Sequence, residues 1–240
     1  MYGLLIGSFL NVCIYRIPKR ETIVWSRSHC MNCGYQLSWY DLIPLFSFIG
    51  LRGKCRKCHQ RISLQYPLIE ALNACLYFII FSINGINFVS VIYCLATSAL
   101  IVLSVIDFKT FEIPFGINVF LFLLGLLRLF MDLPNWSNYV VGFFSVSTFL
   151  LILYVITRGR GIGGGDIKLM AACGLLLGWK LIILALFLGA ILGSIIHIAR
   201  MKISKVEHKL AFGPYLSMGI FLAMLYGNEF WNWYLAFGNN

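Results

Sequence analysis

Residues 88–106 read FVSVIYCLATSALIVLSVI, nineteen positions without a charge, and the next residue is Asp107. About 20 mostly apolar residues cross a hydrocarbon core as a helix, so this stretch predicts a transmembrane span that carries a carboxylate at its end. Five further runs are similar: Pro67 to Ile83, Pro114 to Met131, Tyr139 to Thr157, Leu181 to Ala199 and Ala211 to Tyr226. Two shorter runs, Tyr2 to Tyr15 and Ile167 to Trp179, bring the count to eight. Asn84-Gly85, Leu133-Pro134-Asn135 and Gly178-Trp179 punctuate the short connections. The predicted fold class is an all-α polytopic membrane protein with about eight transmembrane helices.

Composition agrees. Of the 240 residues, 60% are hydrophobic and only 12% charged, about half the charged share of a soluble domain. That excludes a water-soluble monomer. Disorder needs low hydrophobicity and high charge, and a disulfide scaffold needs denser cysteine than 8 in this length. The net charge of +10 on its own would suit nucleic acid or an anionic membrane surface, and its position along the chain favours the membrane, with no nucleic-acid partner. When Lys and Arg are sorted by the loops between the eight runs, 17 of 19 fall on one side. Residues 16–61 hold nine; Lys109, Arg158, Arg160, Lys168, Arg200, Lys202, Lys205 and Lys209 hold the rest, and the other side keeps Arg128 and Lys180. The crowded side is cytoplasmic by the positive-inside rule, which puts both termini outside.

The first run lacks the basic start and small-residue cleavage site of a secretory signal and is followed by Arg16-Ile17-Pro18-Lys19-Arg20, so it reads as a permanent helix. It is short for a span. Either it tilts little in a thinned bilayer, or the natural chain begins further upstream. Gly3 and Gly7 are spaced for close helix packing.

Residues 17–66 form the one long polar insert, and within it Cys30-Met31-Asn32-Cys33 is followed by Cys55-Arg56-Lys57-Cys58. Two C-x-x-C pairs separated by 21 residues match a four-thiolate zinc ribbon, in which each pair supplies two corners of a tetrahedron. Lys54, Arg56 and Lys57 would favour the thiolates and offset their charge. The competing reading is disulfides or redox motifs, and a cytoplasmic insert does not keep stable disulfides. Four thiolates leave no open coordination position, so the zinc reads as structural, a staple for an insert too small to hold a core unaided. His29 and His59 flank the pairs and read as solvated. Cys13, Cys75, Cys94 and Cys173 sit in apolar runs and read as core residues.

Only 9 acids occur in the chain, and charge within a bilayer is costly enough that each acid near a span is a functional candidate. Asp107 ends the third run, before Phe108-Lys109 and Ile113-Pro114; Asp166 opens the sixth, after Gly161-Ile162-Gly163-Gly164-Gly165 and before Ile167-Lys168. Both fall at cytoplasmic helix ends and could meet at one depth. Two carboxylates within a few ångströms share a proton. The charged one then activates a water against a peptide carbonyl while the neutral one hydrogen-bonds the carbonyl oxygen, the chemistry of an aspartic protease. Helix dipoles favour the anion at Asp166, on a helix N-terminus, over Asp107 on a C-terminus, making Asp166 the base and Asp107 the acid. The glycines before Asp166 leave backbone amides free for an extended peptide; they lack the Gly-Lys-Ser/Thr ending of a phosphate loop. The same two acids would also suit helix capping or pairing with Lys109 and Lys168.

Glu70 opens the second helix after Tyr66-Pro67-Leu68-Ile69 and is expected to pair with a basic residue of the insert. Glu112 reads as solvated, and Glu21, Asp41, Asp132, Glu207 and Glu229 fall in loops or tails. His197 reads as a satisfied bundle residue.

Taken together the motifs resemble the bacterial type IV prepilin leader peptidases, a family of GxGD membrane aspartic proteases. The resemblance runs through Gly7-Ser8-Phe9-Leu10-Asn11-Val12, Tyr15-Arg16-Ile17-Pro18, His29-Cys30 to Cys33, Ile43-Pro44, and Arg52-Gly53-Lys54-Cys55. It continues with Ile62-Ser63, Tyr66 to Glu70, Ile106-Asp107, Ile113-Pro114, Gly163 to Lys168, and Phe212-Gly213-Pro214-Tyr215. It implies an eight-helix bundle in the bacterial inner (cytoplasmic) membrane with Asp107 and Asp166 as the catalytic pair. The implied partners are the lipid bilayer and the N-terminal segments of type IV prepilins or pseudopilins, whose basic leader is cut at the cytoplasmic face. Many members also N-methylate the new N-terminus with S-adenosylmethionine, an activity the family places in the cysteine-bearing insert, and Gly53 and Lys54 match family positions linked to it. Here Asp41-Leu42 stands before Ile43-Pro44 where the family commonly has Asp-Asn.

The expected organisation is residues 1–85 for the first helix, the four-cysteine insert and the second helix, and residues 86–240 for a six-helix aspartic peptidase domain. Two other functions are open to the same residues. One is a transporter or channel that binds a cation at its buried acids; the other is a membrane-anchored zinc-ribbon scaffold that recruits a partner.

Overall fold

The computed structural model describes residues 1–23, 28–203 and 211–238; Arg27, Lys205, Glu207 and Lys209 lie outside the described residues. The chain divides into two compact units, Met1–Ile86 and Asn87–Asn240.

In the first unit, α1 (Tyr2–Arg16) packs along α3 (Gln65–Asn84), and the insert between them carries the short α2 (Phe46–Gly50). The two long helices cross at backbone distance. A Cβ on Gly3 would sit 2.8 Å from the Ala74 Cα, and one on Gly7 2.7 Å from the Glu70 Cα, so glycine at both positions sets the separation. Asn73 donates its side-chain amide to the Gly3 carbonyl at 2.7 Å, and Asn11 donates to the carbonyls of Gly7 and Tyr66 at 3.4 and 3.2 Å. The Gly3 and Tyr66 bonds tie α1 to α3, whereas the Gly7 bond stays within α1.

The second unit consists of α4 (Phe88–Thr110), α5 (Phe115–Met131), α6 (Trp136–Ile156), α7 (Gly164–Leu177), α8 (Trp179–Ile203) and α9 (Gly213–Gly238). α4 packs against α5 and α9, while α7 is enclosed by α5, α6 and α8. Every residue of α7 from Leu169 to Leu177 is buried, as expected of a helix that is apolar on all sides. At 14 residues it spans only about 21 Å. Its tightest contact is with α6: a Cβ on Gly174 would fall 2.1 Å from the Gly142 carbonyl oxygen.

The outward faces reverse the pattern of a soluble protein. α6 exposes Phe144, Phe149, Ile152 and Val155, and α5 exposes Phe120, Leu123 and Phe130. Contiguous apolar surface of this kind marks contact with lipid. Among the described residues four helical stretches are long and apolar enough to cross a membrane: Gln65–Asn84, Phe88–Thr110, Leu133–Ile156 and Trp179–Ala199. The protein is therefore an all-α, multi-pass membrane protein with a cysteine cluster near its N-terminus. α1, α5, α7 and α9 coincide with four further apolar runs of the sequence.

Two helix ends differ from the sequence reading. α4 runs on through Asp107 to Thr110, where the Thr110 hydroxyl donates to the Ile106 carbonyl at 2.9 Å. α9 continues past Tyr226 to Gly238, where Trp231 packs near Trp179 and donates its indole N–H to the Lys180 carbonyl at 3.2 Å.

Candidate active site and metal centre

Asp107 and Asp166 come from different helices of the second unit and are both buried, 5% and 7% exposed. Asp166 is the third residue of α7, and its Oδ2 accepts the Gly163 N–H at 3.2 Å, closing the helix N-terminus. Its Oδ1 is buried with no hydrogen-bond partner among the described residues. Asp107 Oδ2 accepts the N–H of Gly213, the first residue of α9, at 2.9 Å. The start of α7 meets the connection between α4 and α5, since a Cβ on Gly165 would lie 2.8 Å from the Ile113 Cβ. Asp166 experiences the charge of Asp107.

These contacts change the expected electrostatics. Asp107 lies near the C-terminal end of its own helix, yet its carboxylate receives the first amide of α9, so each acid faces a helix N-terminus. The dipole argument no longer separates an anionic Asp166 from a neutral Asp107. Pairing of Asp166 with Lys168 is not what the side chains do: the Lys168 ammonium stands over the Phe115 ring, 5.4 Å from its centroid. Glu112 is exposed, as the sequence reading expected. Gly213 is the residue whose part was missed. Gly-Pro at 213–214 is a legible helix start, but the acid it meets lies 106 residues away in sequence.

In the insert, residues 28–37 and 53–62 fold alike. In the first segment, the Cys30 N–H donates to Tyr35 O at 2.8 Å, Gly34 N–H to Cys30 O at 2.9 Å, and Leu37 N–H to Ser28 O at 2.9 Å. Twenty-five residues later the same bonds recur, from Cys55 to Gln60 at 2.9 Å, His59 to Cys55 at 3.0 Å, and Ile62 to Gly53 at 2.8 Å. Isolated antiparallel bridges, His29 with Gln36 and Lys54 with Arg61, close the two knuckles. The repeat brings the four sulfurs within 4.8 Å of one another. Cys30 and Cys58 lie 3.8 Å apart, Cys33 and Cys55 4.0 Å; a tetrahedron with metal–sulfur bonds near 2.3 Å has edges of about 3.8 Å. The cluster can hold a metal ion. His29 and His59 are not members of it.

Backbone amides tune these thiols. The Gln60 amide and the Asn32 side chain draw Cys58 down to about 6, and the Cys33 and Asn32 amides lower Cys30. Cys33 accepts the Tyr35 amide, yet desolvation and the neighbouring sulfurs push it up to about 11. Four thiolates at this spacing need a cation among them. The expected role of Arg56 shifts as well: its guanidinium pairs with Asp41 at 2.8 Å and stacks over Tyr40. This ties the stretch around residue 41, read from sequence as a loop, to the second knuckle.

Among the described residues Glu70 meets no basic residue. Its Oε2 accepts the Leu45 N–H at 2.8 Å, and the Ser8 side chain adds a second neutral contact. Gly53 and Lys54 lie in the second knuckle, Gly53 at φ +68° where a Cβ would lie 3.0 Å from Phe48 Cζ, and Lys54 in the bridge to Arg61.

Residues 1–83 match the bacterial peptidase A24 N-terminal domain, and residues 94–198 match the type IV leader peptidase family. A prepilin leader peptidase/N-methyltransferase of Bacillus subtilis (strain 168) is 35% identical, over 98% of this chain and 96% of its own length. Proteins of the same description from Pseudomonas putida and Pseudomonas aeruginosa are 31% and 30% identical, over 95% and 99% of this chain and 89% and 92% of their own lengths. No solved structure matches.

Proposed function

Because the chain belongs to the type IV leader peptidase family, we propose that it removes the basic leader of type IV prepilins or pseudopilins, with Asp107 and Asp166 as its catalytic pair. The observation that carries this reading is the pair of buried carboxylates, each holding a backbone amide on one oxygen, with Asp166 Oδ1 left without a partner. A buried oxygen without a hydrogen bond is costly unless a water or substrate group supplies one. With one proton between the acids, the ionised carboxylate takes a proton from the attacking water as oxygen adds to the scissile carbonyl carbon. The protonated carboxyl hydrogen-bonds the developing oxyanion. Collapse breaks the C–N bond, the departing amine gains a proton, and the leader leaves as a carboxylate. The amides of Gly164 and Gly165, in the first turn of α7 just before Asp166, suit pairing with an extended peptide.

All eight long helices cross the membrane in this reading, and the skew of Lys and Arg puts the insert and both acids at the cytoplasmic face with the termini outside. Residues 86–240 form the peptidase domain, and residues 1–85 carry the insert. The metal is zinc. Four sulfurs at tetrahedral spacing, with no further donor among the described residues, leave no open position, which supports a structural role. The names of the relatives extend the proposal to N-methylation of the new N-terminus with S-adenosylmethionine, Gly53 and Lys54 contributing through the shape of the second knuckle.

The test is mass spectrometry of a prepilin co-expressed with wild type, Asp107→Asn or Asp166→Asn. The expected result is a shortened, N-methylated product with wild type and uncut prepilin with either variant. Cutting by either variant at more than a few per cent of the normal rate overturns the dyad.

A further inference from the structure

The first unit encloses a cavity of about 520 Å³, bounded by the ends of α1 and α3 and by the insert. That volume lies in the range of small-molecule sites. Its walls are of mixed character. Phe48, Tyr15 and Tyr66 supply aromatic side chains, while Asn11, Arg16 and Glu70 bring polar and charged groups that are themselves 2%, 6% and 7% exposed. Asn11 Oδ1 is buried with no hydrogen-bond partner among the described residues. The two contacts of Glu70 are neutral donors, and among the described residues no cation pairs with it. A buried carboxylate held only by neutral donors favours the arrival of a cation.

A ligand for these walls carries a positive charge for Glu70, a flat ring for the aromatic side chains, and a carboxylate for Arg16, whose guanidinium also donates to the Thr22 carbonyl at 3.2 Å. S-adenosylmethionine has all three, with its ammonium as a further donor for Asn11 Oδ1. We infer that this cavity is the methyl-donor site, with Arg16 holding the donor's carboxylate and Glu70 facing its sulfonium. The inference rests on the methyl-transfer part of the proposed function and moves the contact residues from Gly53 and Lys54, which do not line the cavity, to the helix ends that flank the insert. In the transfer, the lone pair of the new N-terminal amine forms a bond to the methyl carbon. The carbon–sulfur bond breaks with its electron pair remaining on sulfur, and the methylated ammonium gives its proton to water. Positive charge leaves the sulfur as the thioether product forms, so the attraction to Glu70 lapses and product release is eased.

The test measures equilibrium binding to the full chain in detergent of two probes, S-adenosylmethionine and its uncharged-sulfur product, S-adenosylhomocysteine. Wild type is expected to prefer the sulfonium. Glu70→Gln, which keeps an acceptor for the Leu45 amide, is expected to weaken S-adenosylmethionine at least tenfold and to abolish the preference. Arg16→Gln should weaken both probes alike, and Glu112→Gln neither. A helix-packing role for Glu70 would not move the ratio. Ultraviolet cross-linking of methyl-labelled donor to wild type does not depend on any variant folding, and label is expected in peptides covering residues 11–16 or 66–70. Label confined to other peptides, or an unchanged preference in folded Glu70→Gln, overturns the site while co-expressed prepilin is still methylated. If prepilin is cut but never methylated and neither probe binds, the methyl-transfer reading fails with it.

Discussion

Gly213 donates its backbone N–H to Asp107 Oδ2 at 2.9 Å, so the first amide of α9 holds an acid delivered by α4. There is no room for a side chain at this point. A Cβ on Gly213 would lie 2.7 Å from that oxygen and 3.1 Å from Leu103 Cδ2. Gly213→Ala therefore displaces the carboxylate. Displacements near 1 Å cost on the order of a hundredfold in rate, and the expected loss in leader cleavage is about ten- to a hundredfold, with the thermal unfolding of the protein little changed. Normal cleavage by this variant would show that the amide does not position Asp107.

The glycines before Asp166 differ from one another. A Cβ on Gly165 would meet the Ile113 Cβ at 2.8 Å, whereas one on Gly164 has nothing within 4 Å. Alanine is favoured over glycine in a helix by up to about 1 kcal/mol, so Gly164→Ala should unfold at the same temperature or slightly higher. Gly165→Ala should unfold at a lower temperature and cleave poorly, because it pushes α7 away from the α4–α5 connection. Equal melting of the two variants would contradict the contact. Thermal unfolding in detergent reads both.

The helices were legible in the sequence because each is a run of apolar residues bounded by charge or by glycine, proline and asparagine. The two acids and the four cysteines were legible for a related reason, being residue types that a membrane or a small insert tolerates only with a partner. What could not be read were contacts between distant segments. The Gly213 amide on Asp107, the Leu45 amide on Glu70 and the Asp41–Arg56 pair depend on how helices and knuckles pack, and none has a local pattern. Net charge also misled locally. The cations near the second cysteine pair suggested electrostatic support for the thiols, but backbone amides supply it.

Gly34 and His59 occupy the same place in the two knuckles, at φ +69° and +55°. The left-handed conformation costs a residue with a Cβ roughly 1–2 kcal/mol, and His59 lies outside the sulfur cluster. His59→Gly should therefore retain one zinc per chain and resist chelators longer than wild type. Cys30→Ser with Cys55→Ser should lose the metal and open the insert to protease. Zinc analysis of purified protein decides the matter: loss of metal in His59→Gly would make the histidine a ligand.

Asp132, between α5 and α6, accepts the Tyr139 hydroxyl on Oδ2 at 2.8 Å and the Asn135 amide on Oδ1 at 2.9 Å. These donors, with Arg128 nearby, hold its carboxyl below the ordinary carboxylate range. The unfolded chain, with an aspartate value of about 3.9, then binds the proton more readily than the folded one. The contribution to stability is fully present above that value and disappears as pH falls through the lower, folded one. Asp132→Asn should unfold more easily than wild type at pH 7, and the difference should shrink steadily below about pH 4. Tyr139→Phe removes the first of the two donors and should lose part of the same pH-dependent stability. Unfolding curves for the three proteins between pH 3 and 7 measure it, and a difference that stays constant across that range would mean that packing, not the carboxylate's charge, holds the turn.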